Sequence, residues 1–302
     1  MIEPNRHVAT EPRAARAALI AIAVAFIAFV IALPLGAVVV EALRPGLGPF
    51  LAAISAPDTL SAIRLTALAT LVSIPLNAIF GFAAAWLVTR FRFRGRTLLV
   101  TLIDLPVAIS PVIAGMLFVL LFGTTTGIGN LLFDLDLRVL FAPPAVVIAT
   151  LFVTSPYVAR ELIPALDAQG ADEEQAAMVL GASSFTVFRR ITLPKAKWAL
   201  LHGLVLATAR AIGEFGAVSV VSGHIRGETN TVPLAVETLY DEYRFSEAFA
   251  VATFLLTIAC LTLLAKRVLE GRARAQRTHE EEPGDEPSVE VGAVERRVNE
   301  AT

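Results

Sequence analysis

Asp104, Arg210 and Glu214 lie inside runs that are otherwise apolar enough for lipid. Arg210 and Glu214 stand four positions apart, which places them on one face of a helix. Ionisable groups at such depth face a partner or a water-lined cavity. The favoured reading is a buried ion pair that fixes helix packing or a subunit seam. The alternative is that Arg210 lends positive potential to an anion pathway while Glu214 limits how tightly the anion is held. Asp104 falls about 12 Å beyond Arg96 by helical rise; it is read as satisfying backbone groups near Pro106, with a gating role as the second possibility. In "SGHIRGETNTVP" (222–233), glycines, main-chain N–H groups, His224 and Arg226 could meet an oxyanion. The favoured reading there is a solvated external loop that closes a gate or meets another protein.

Catalytic chemistry has no visible seat. The chain lacks a GxxxxGK[ST] run, and "GTTTGIGN" (123–130) has no Lys-Ser/Thr to hold phosphate, so it is read as a loop. His7, His202, His224 and His279 show no ligand spacing, and Cys260 is the only cysteine. No catalytic residue, metal or cofactor is therefore assigned to this polypeptide. If it drives a solute uphill, the energy comes from elsewhere.

One polar-edged stretch stands out, "EEQAAMVLGASSFTVFRRITLP" (173–194). Asp172 and Gln175 have the spacing of a capping box, which predicts a helix start. Ala176 and Ala177 permit close approach of another surface, and Gly181 can end the helix in a left-handed conformation. Ser183 or Ser184 can cap a second short helix, on which Phe185 and Phe188 share a face. Pro194 should stop it and bias Leu193 towards an extended backbone. The product is two short helices with a bend, which either pack back on the bundle or dock into a partner.

The elements that must position these residues are set by hydropathy. The 302-residue chain is 56% hydrophobic and 17% charged, with a mean hydropathy of +0.69, which is the composition of a polytopic membrane protein. Six runs, near 17–43, 65–89, 97–122, 143–163, 198–222 and 246–267, reach the roughly 20 apolar residues that a spanning helix requires. Sixteen basic residues fall in the N-terminal tail (1–16), the second and fourth connections and the end of the last span. Five fall in the opposite connections. The positive-inside rule then places both termini in the cytoplasm. Pro34, Pro75, Pro106, Pro111 and Pro156, with Gly81 and Gly115, interrupt the spans, most densely in "LIDLPVAISPVIAGM". Residues 278–302 carry eight acids and two bases, and 271–302 reads as a disordered acidic tail. The formal charge of −2 is dominated by this tail and gives no ground for nucleic-acid binding.

Ala176, Ala177, Gly181, Ile191, Leu193 and Pro194 reproduce the spacing of the "EAA" loop, and the segment resembles that of importer-type ABC permeases. "ARAIGEFGAVSVVSGHIRGETNTVPLAVETLY" (209–240) is similar to sulfate and thiosulfate permease subunits, particularly the CysW type, and "DLPVAISPVIAGM" resembles the matching span of sulfate and molybdate permeases. The resemblance covers about residues 20–270. It implies an all-α, six-span, MetI-like permease fold over 17–270 with a coupling helix between the fourth and fifth spans. Residues Glu174, Gln175, Ala176, Ala177, Gly181, Phe185, Phe188, Arg189, Ile191, Leu193 and Pro194 would dock on a cytoplasmic ABC ATPase dimer, which alone uses ATP and magnesium. The other implied partners are a second, T-type permease subunit and an extracytoplasmic sulfate-binding protein. The family's Glu position is Gln175 here, with Glu174 immediately before it. Sulfate or thiosulfate import is the expected function. The alternatives are molybdate or tungstate import and a secondary anion carrier that needs no ATPase.

Overall fold

The computed structural model describes residues 13–281. The expected tails, 1–16 and 271–302, therefore lie largely outside the described residues. Among those described, the chain is all helical. In chain order the helices are α1 (Arg13–Ile27), α2 (Leu33–Leu43), α3 (Leu47–Ser55), α4 (Pro57–Arg90), α5 (Arg96–Ala108), α6 (Pro111–Phe122) and α7 (Gly127–Asp134). There follow α8 (Pro143–Gln169), α9 (Asp172–Val179), α10 (Ser184–Val187), α11 (Leu193–Ile212), α12 (Gly216–Ser222), α13 (Val232–Asp241) and α14 (Phe245–Glu281). One π-helical turn joins α1 to α2 at Ala28–Ala32, and another joins α10 to α11 at Phe188–Thr192.

Four helices are long and apolar enough to cross a membrane, and two bent pairs bring the total to six. The third span, expected over 97–122 with its breakers at Pro106 and Pro111, is α5 and α6 meeting at 106°. Pro111 has no N–H to continue the helix and holds Ser110 extended at ψ 132°, so the chain turns there. The fifth span bends by 50° between α11 and α12. The last helix continues past residue 271 to Glu281, and α4 begins at Pro57, eight residues before the expected 65. The stretch read as a loop at 123–130 is half helix: Thr126 caps α7, its hydroxyl accepting the Gly129 N–H at 3.1 Å.

The core is the pair α4 and α8, flanked by α11. Gly81 on α4 faces α8 so closely that an added Cβ would sit 2.7 Å from Val158 Cβ. That approach lets Phe82 and Ala85 close over Val158, Leu162 and Leu166. The same seam buries polar groups that satisfy one another. Asn77 Nδ2 donates to Thr154 Oγ1 at 2.7 Å and to Leu151 O at 3.2 Å, and Ser73 Oγ donates to Val147 O at 3.2 Å. Pro156 leaves the Phe152 carbonyl without its helical donor, and Ser155 Oγ supplies one at 2.8 Å. Pro75, Pro156 and Pro164 are thus absorbed within continuous helices. By contrast, residues 14–37 of the first span are all exposed.

Gly81→Ala should push α4 off α8 and lower the thermal midpoint of the detergent-purified protein, by the equivalent of about 1–3 kcal/mol. An unchanged midpoint would mean that the two helices do not meet as described.

Candidate functional site

At the end of the bundle carrying Arg90, Arg96 and Lys195, α9 projects as a separate short helix. It starts without the anticipated capping box. Ala171 is the N-cap, no side chain bonds to the free N–H groups, and Asp172 is already helical. The acids Asp172, Glu173 and Glu174 in the first turn favour the positive end of the helix dipole instead. Gly181 ends α9 at φ +86° as expected. Its N–H donates to Met178 O at 3.0 Å, while Ala182 N–H donates to Ala177 O at 3.0 Å. These two bonds are the Schellman pattern, which satisfies the last carbonyls of a helix. Ser183 then caps α10, accepting the Thr186 N–H at 3.3 Å.

Pro194 does not stop the second helix. Leu193 is helical at φ −65°, ψ −44°, and its N–H reaches back five residues to Phe188 O. The wider π turn places the proline ring at the first positions of α11, where a missing N–H costs no helical bond. The polypeptide therefore runs from Ser184 to Ile212 as one helical rod, and α10 is the outer tip of the fifth span.

The root of α9 is a buried ion pair. Arg90, the last residue of α4, donates from Nε to Glu174 Oε2 at 2.8 Å and from Nη2 to Oε1 at 3.1 Å. Its Nη1 donates to Leu166 O on α8 at 3.1 Å, and Thr192 Oγ1 donates to Glu174 Oε1 at 2.8 Å. Phe188 packs edge-on to Phe82 at 5.4 Å and lies 5.8 Å from Trp86. Glu174, only 8% exposed, and Phe188 are thus turned into the bundle, whereas the resemblance implied that both face a docking partner. Ala177, Ile191 and Leu193 are half-buried; Gln175, Ala176, Gly181, Arg189 and Pro194 are exposed. The outward surface is apolar: Leu180 is 88% exposed, Val179 86% and Phe185 70%, with Met178 beside them.

The remaining expected residues do not converge on one point. Glu214 is not on the same helix as Arg210; it occupies the break between α11 and α12. There its carboxylate pairs with Arg210 and accepts the Ala217 N–H at 2.8 Å, so it caps α12 as well as neutralising the arginine. Asp104 does not serve backbone near Pro106. It accepts from Arg160 Nε on α8 at 2.7 Å. Pro106 itself is buried within α5. At the other end of the bundle Arg226 pairs with Glu242 and lies 3.9 Å from Asp58. His224 adopts φ 54°, with Nε2 3.0 Å from Ser219 O and Nδ1 3.8 Å from Glu237. In the segment 222–233 the ends are packed, with Ser222, Thr229, Asn230 and Thr231 buried and Val232 N–H donating to Thr66 Oγ1 at 2.9 Å, while Gly223, His224, Arg226, Gly227 and Glu228 between them are exposed.

Residues 78–275 match the model of the binding-protein-dependent transport system inner membrane component. This region holds α5 to α13, the projecting α9 and α10 among them, and every ion pair described above except the contact to Asp58. The chain belongs to this family. The permease is 47% identical over 258 residues to the sulfate transport system permease protein CysW of Escherichia coli K12, covering 85% of this chain and 89% of that one. It is 46% identical to CysW of Synechocystis sp. over 84% and 92% of the two chains. The sulfate transport system permease protein CysT of Salmonella typhimurium is 33% identical over 82% and 89%. The permease shares its fold with a chain of a bacterial alginate ABC transporter, at a TM-score of 0.70 and 18% identity over 85% and 94% of the two chains.

Sequence spacing missed Arg90, which acts across 76 to 84 positions, Arg160, which acts across 56, and Thr192, which acts across 18 from the far side of the bend. It also missed Val179 and Leu180, although an apolar pair beside a helix-ending glycine outside the spans was a legible signal. Removing Glu174 strands the buried Arg90. Glu174→Ala should therefore cost about 3–5 kcal/mol of local stability, read as faster hydrogen exchange across 172–182. Glu173→Ala, which loses only the exposed pair with Lys195, should change it by less than about 1 kcal/mol. Equal effects would show that Glu174 does not root α9.

Proposed function

We propose that the chain is one permease subunit of an ATP-driven importer that carries sulfate or thiosulfate across the cell membrane. The observation that carries this reading is the lever. An apolar surface of Met178, Val179, Leu180 and Phe185 stands proud of a bundle end rich in arginine and lysine. Its root is fixed by Arg90 and Glu174, and one of its two helices is continuous with a span. Apolar side chains displayed among Glu173, Arg189 and Arg190 gain nothing from water, so they fit a groove on a cytoplasmic partner. The partner is the ATPase dimer, which supplies the ATP and magnesium chemistry; the permease contributes none.

In operation the work is mechanical. Closure of the ATPase subunits on nucleotide displaces α9 and α10. Because α10, the π turn and α11 form one rod, the displacement is transmitted towards the 50° break before α12. A second, T-type permease subunit completes the pathway, and an extracytoplasmic sulfate-binding protein delivers the anion at the opposite end. Both termini lie in the cytoplasm, which agrees with the excess of basic residues on that side. The substrate rests on the names of the relatives, CysW and CysT sulfate permeases at 47% and 33% identity.

Leu180→Asp should leave membrane insertion intact, because the residue touches little of its own chain. It should lower ATP-dependent uptake of labelled sulfate into vesicles containing the complete complex by at least about tenfold, the loss expected when an anchor side chain is truncated. Uptake at the unmodified rate would sink the docking role. ATP-driven uptake of molybdate without sulfate would overturn the substrate, and gradient-driven uptake without the ATPase would overturn the importer.

A further inference from the structure

Arg160 and Glu161 lie side by side in the middle of α8, and each is held by a different neighbour. Arg160 Nε donates to Asp104 on α5 at 2.7 Å, and Glu161 Oε2 is 2.7 Å from His202 Nδ1 on α11. α4 packs on the side of α8 that carries Val158, Ala159, Leu162 and Leu166. At 100° per residue, Tyr157, Arg160, Glu161 and Pro164 fall on the opposite side. α11 covers part of that side, at Tyr157 and Glu161, and leaves Arg160 open: the Arg160 and Asp104 side chains are 50% and 41% exposed. Both lie deep within the bundle. Asp104 is about 12 Å from the start of α5, and Arg160 about 13 Å from the end of α8.

Half-exposed charges at such depth do not face lipid. Nor is the arginine spent. Asp104 engages only its Nε, so the two terminal nitrogens remain as a planar pair of donors with no partner among the described residues. Arg210 is less open, 28% exposed, and commits a terminal nitrogen to Glu214, whose side chain is 1% exposed. Of the two arginines, Arg160 is the more accessible and the one with both terminal nitrogens uncommitted. We propose that Arg160 is an oxyanion contact in the translocation pathway, receiving a tetrahedral dianion on its terminal nitrogens while Asp104 aims the guanidinium and cancels its net charge. This assignment rests on the importer reading and deepens it. A neutralised guanidinium offers a fork of hydrogen bonds without a deep electrostatic well, which a site that must release its anion requires.

The test uses the complete complex with Cys260→Ser in this chain, which removes its single cysteine. Thr101→Cys then places a thiol at an exposed position one turn before Asp104, and its modification by sulfonatoethyl methanethiosulfonate is followed by mass spectrometry of this chain. Labelling that sulfate slows several-fold, with protection lost in Arg160→Gln and kept in Asp104→Asn, is the expected result. Asp104→Asn should also hold the anion longer and slow uptake. No labelling would place this face against lipid or another subunit and overturn the proposal. Labelling unaffected by sulfate, thiosulfate and molybdate would overturn it too, as would equal loss of protection in the Asn and Gln variants, the outcome for a merely structural pair. Protection by molybdate alone would sustain the Arg160 site and overturn the sulfate reading instead.

Discussion

A guanidinium at the end of α4 holds four elements together, and the geometry of the lever depends on it. Arg90 closes α4, supplies a donor to Leu166 O in the last turns of α8 and grips both oxygens of Glu174 on α9. Glu174 in turn accepts from Thr192 in the π turn. Carbonyls in the last turn of a helix have no intrahelical donor, so the arginine answers a need that α8 has in any case. Charge-assisted, two-pronged bonds are also among the strongest available to a side chain. An eight-residue helix has little stability alone. Rooted in this way, α9 moves with the spans instead of fraying from them.

The second constraint is lipid, which cannot hydrogen-bond a broken backbone. The spans break only where a nearby group takes up what is freed. Glu214 fills the gap between α11 and α12 by capping Ala217 N–H, and Ser155 serves the carbonyl released by Pro156. Both Leu-Pro steps that enter a helix, Leu33-Pro34 and Leu193-Pro194, are preceded by a π turn. The repeated device keeps a proline without interrupting the rod. For the fifth span this is decisive, since a break at Pro194 would disconnect α10 from α11 and absorb any displacement before it reached the bundle.

Local features were legible in the sequence in proportion to how local their causes are. Gly181 and Ser183 did what their types allow, because a left-handed glycine and a capping hydroxyl need only a few neighbours. The six apolar runs emerged because a membrane-spanning helix has a fixed length. Pro194 misled because a π turn is not written in any single residue, and Glu174 misled because its burial depends on Arg90, eighty-four positions away. Asp104 was assigned to its own helix when its partner stands on α8. Spacing along the chain reveals a helix and its faces; it does not reveal which neighbour each face meets.

That distinction also bears on the departure at Gln175. A carboxylate at 175 would point about 100° away from Glu174 around α9, outward rather than towards Arg90. In this chain the outward position is a neutral amide and the charge has its partner inside. On the proposed docking, the contact would run chiefly through Val179, Leu180, Met178 and Phe185. The first span also exposes many apolar side chains, among them Phe29 and Leu33. Lipid accounts for those, since they form an uninterrupted apolar helix. It does not account for the lever, whose apolar residues sit between Asp172, Glu173 and Glu174 on one side and Arg189 and Arg190 on the other. An apolar surface bracketed by charges fits a protein interface in water, and in the proposed docking the steric fit of that surface, rather than a charge at 175, would carry the contact.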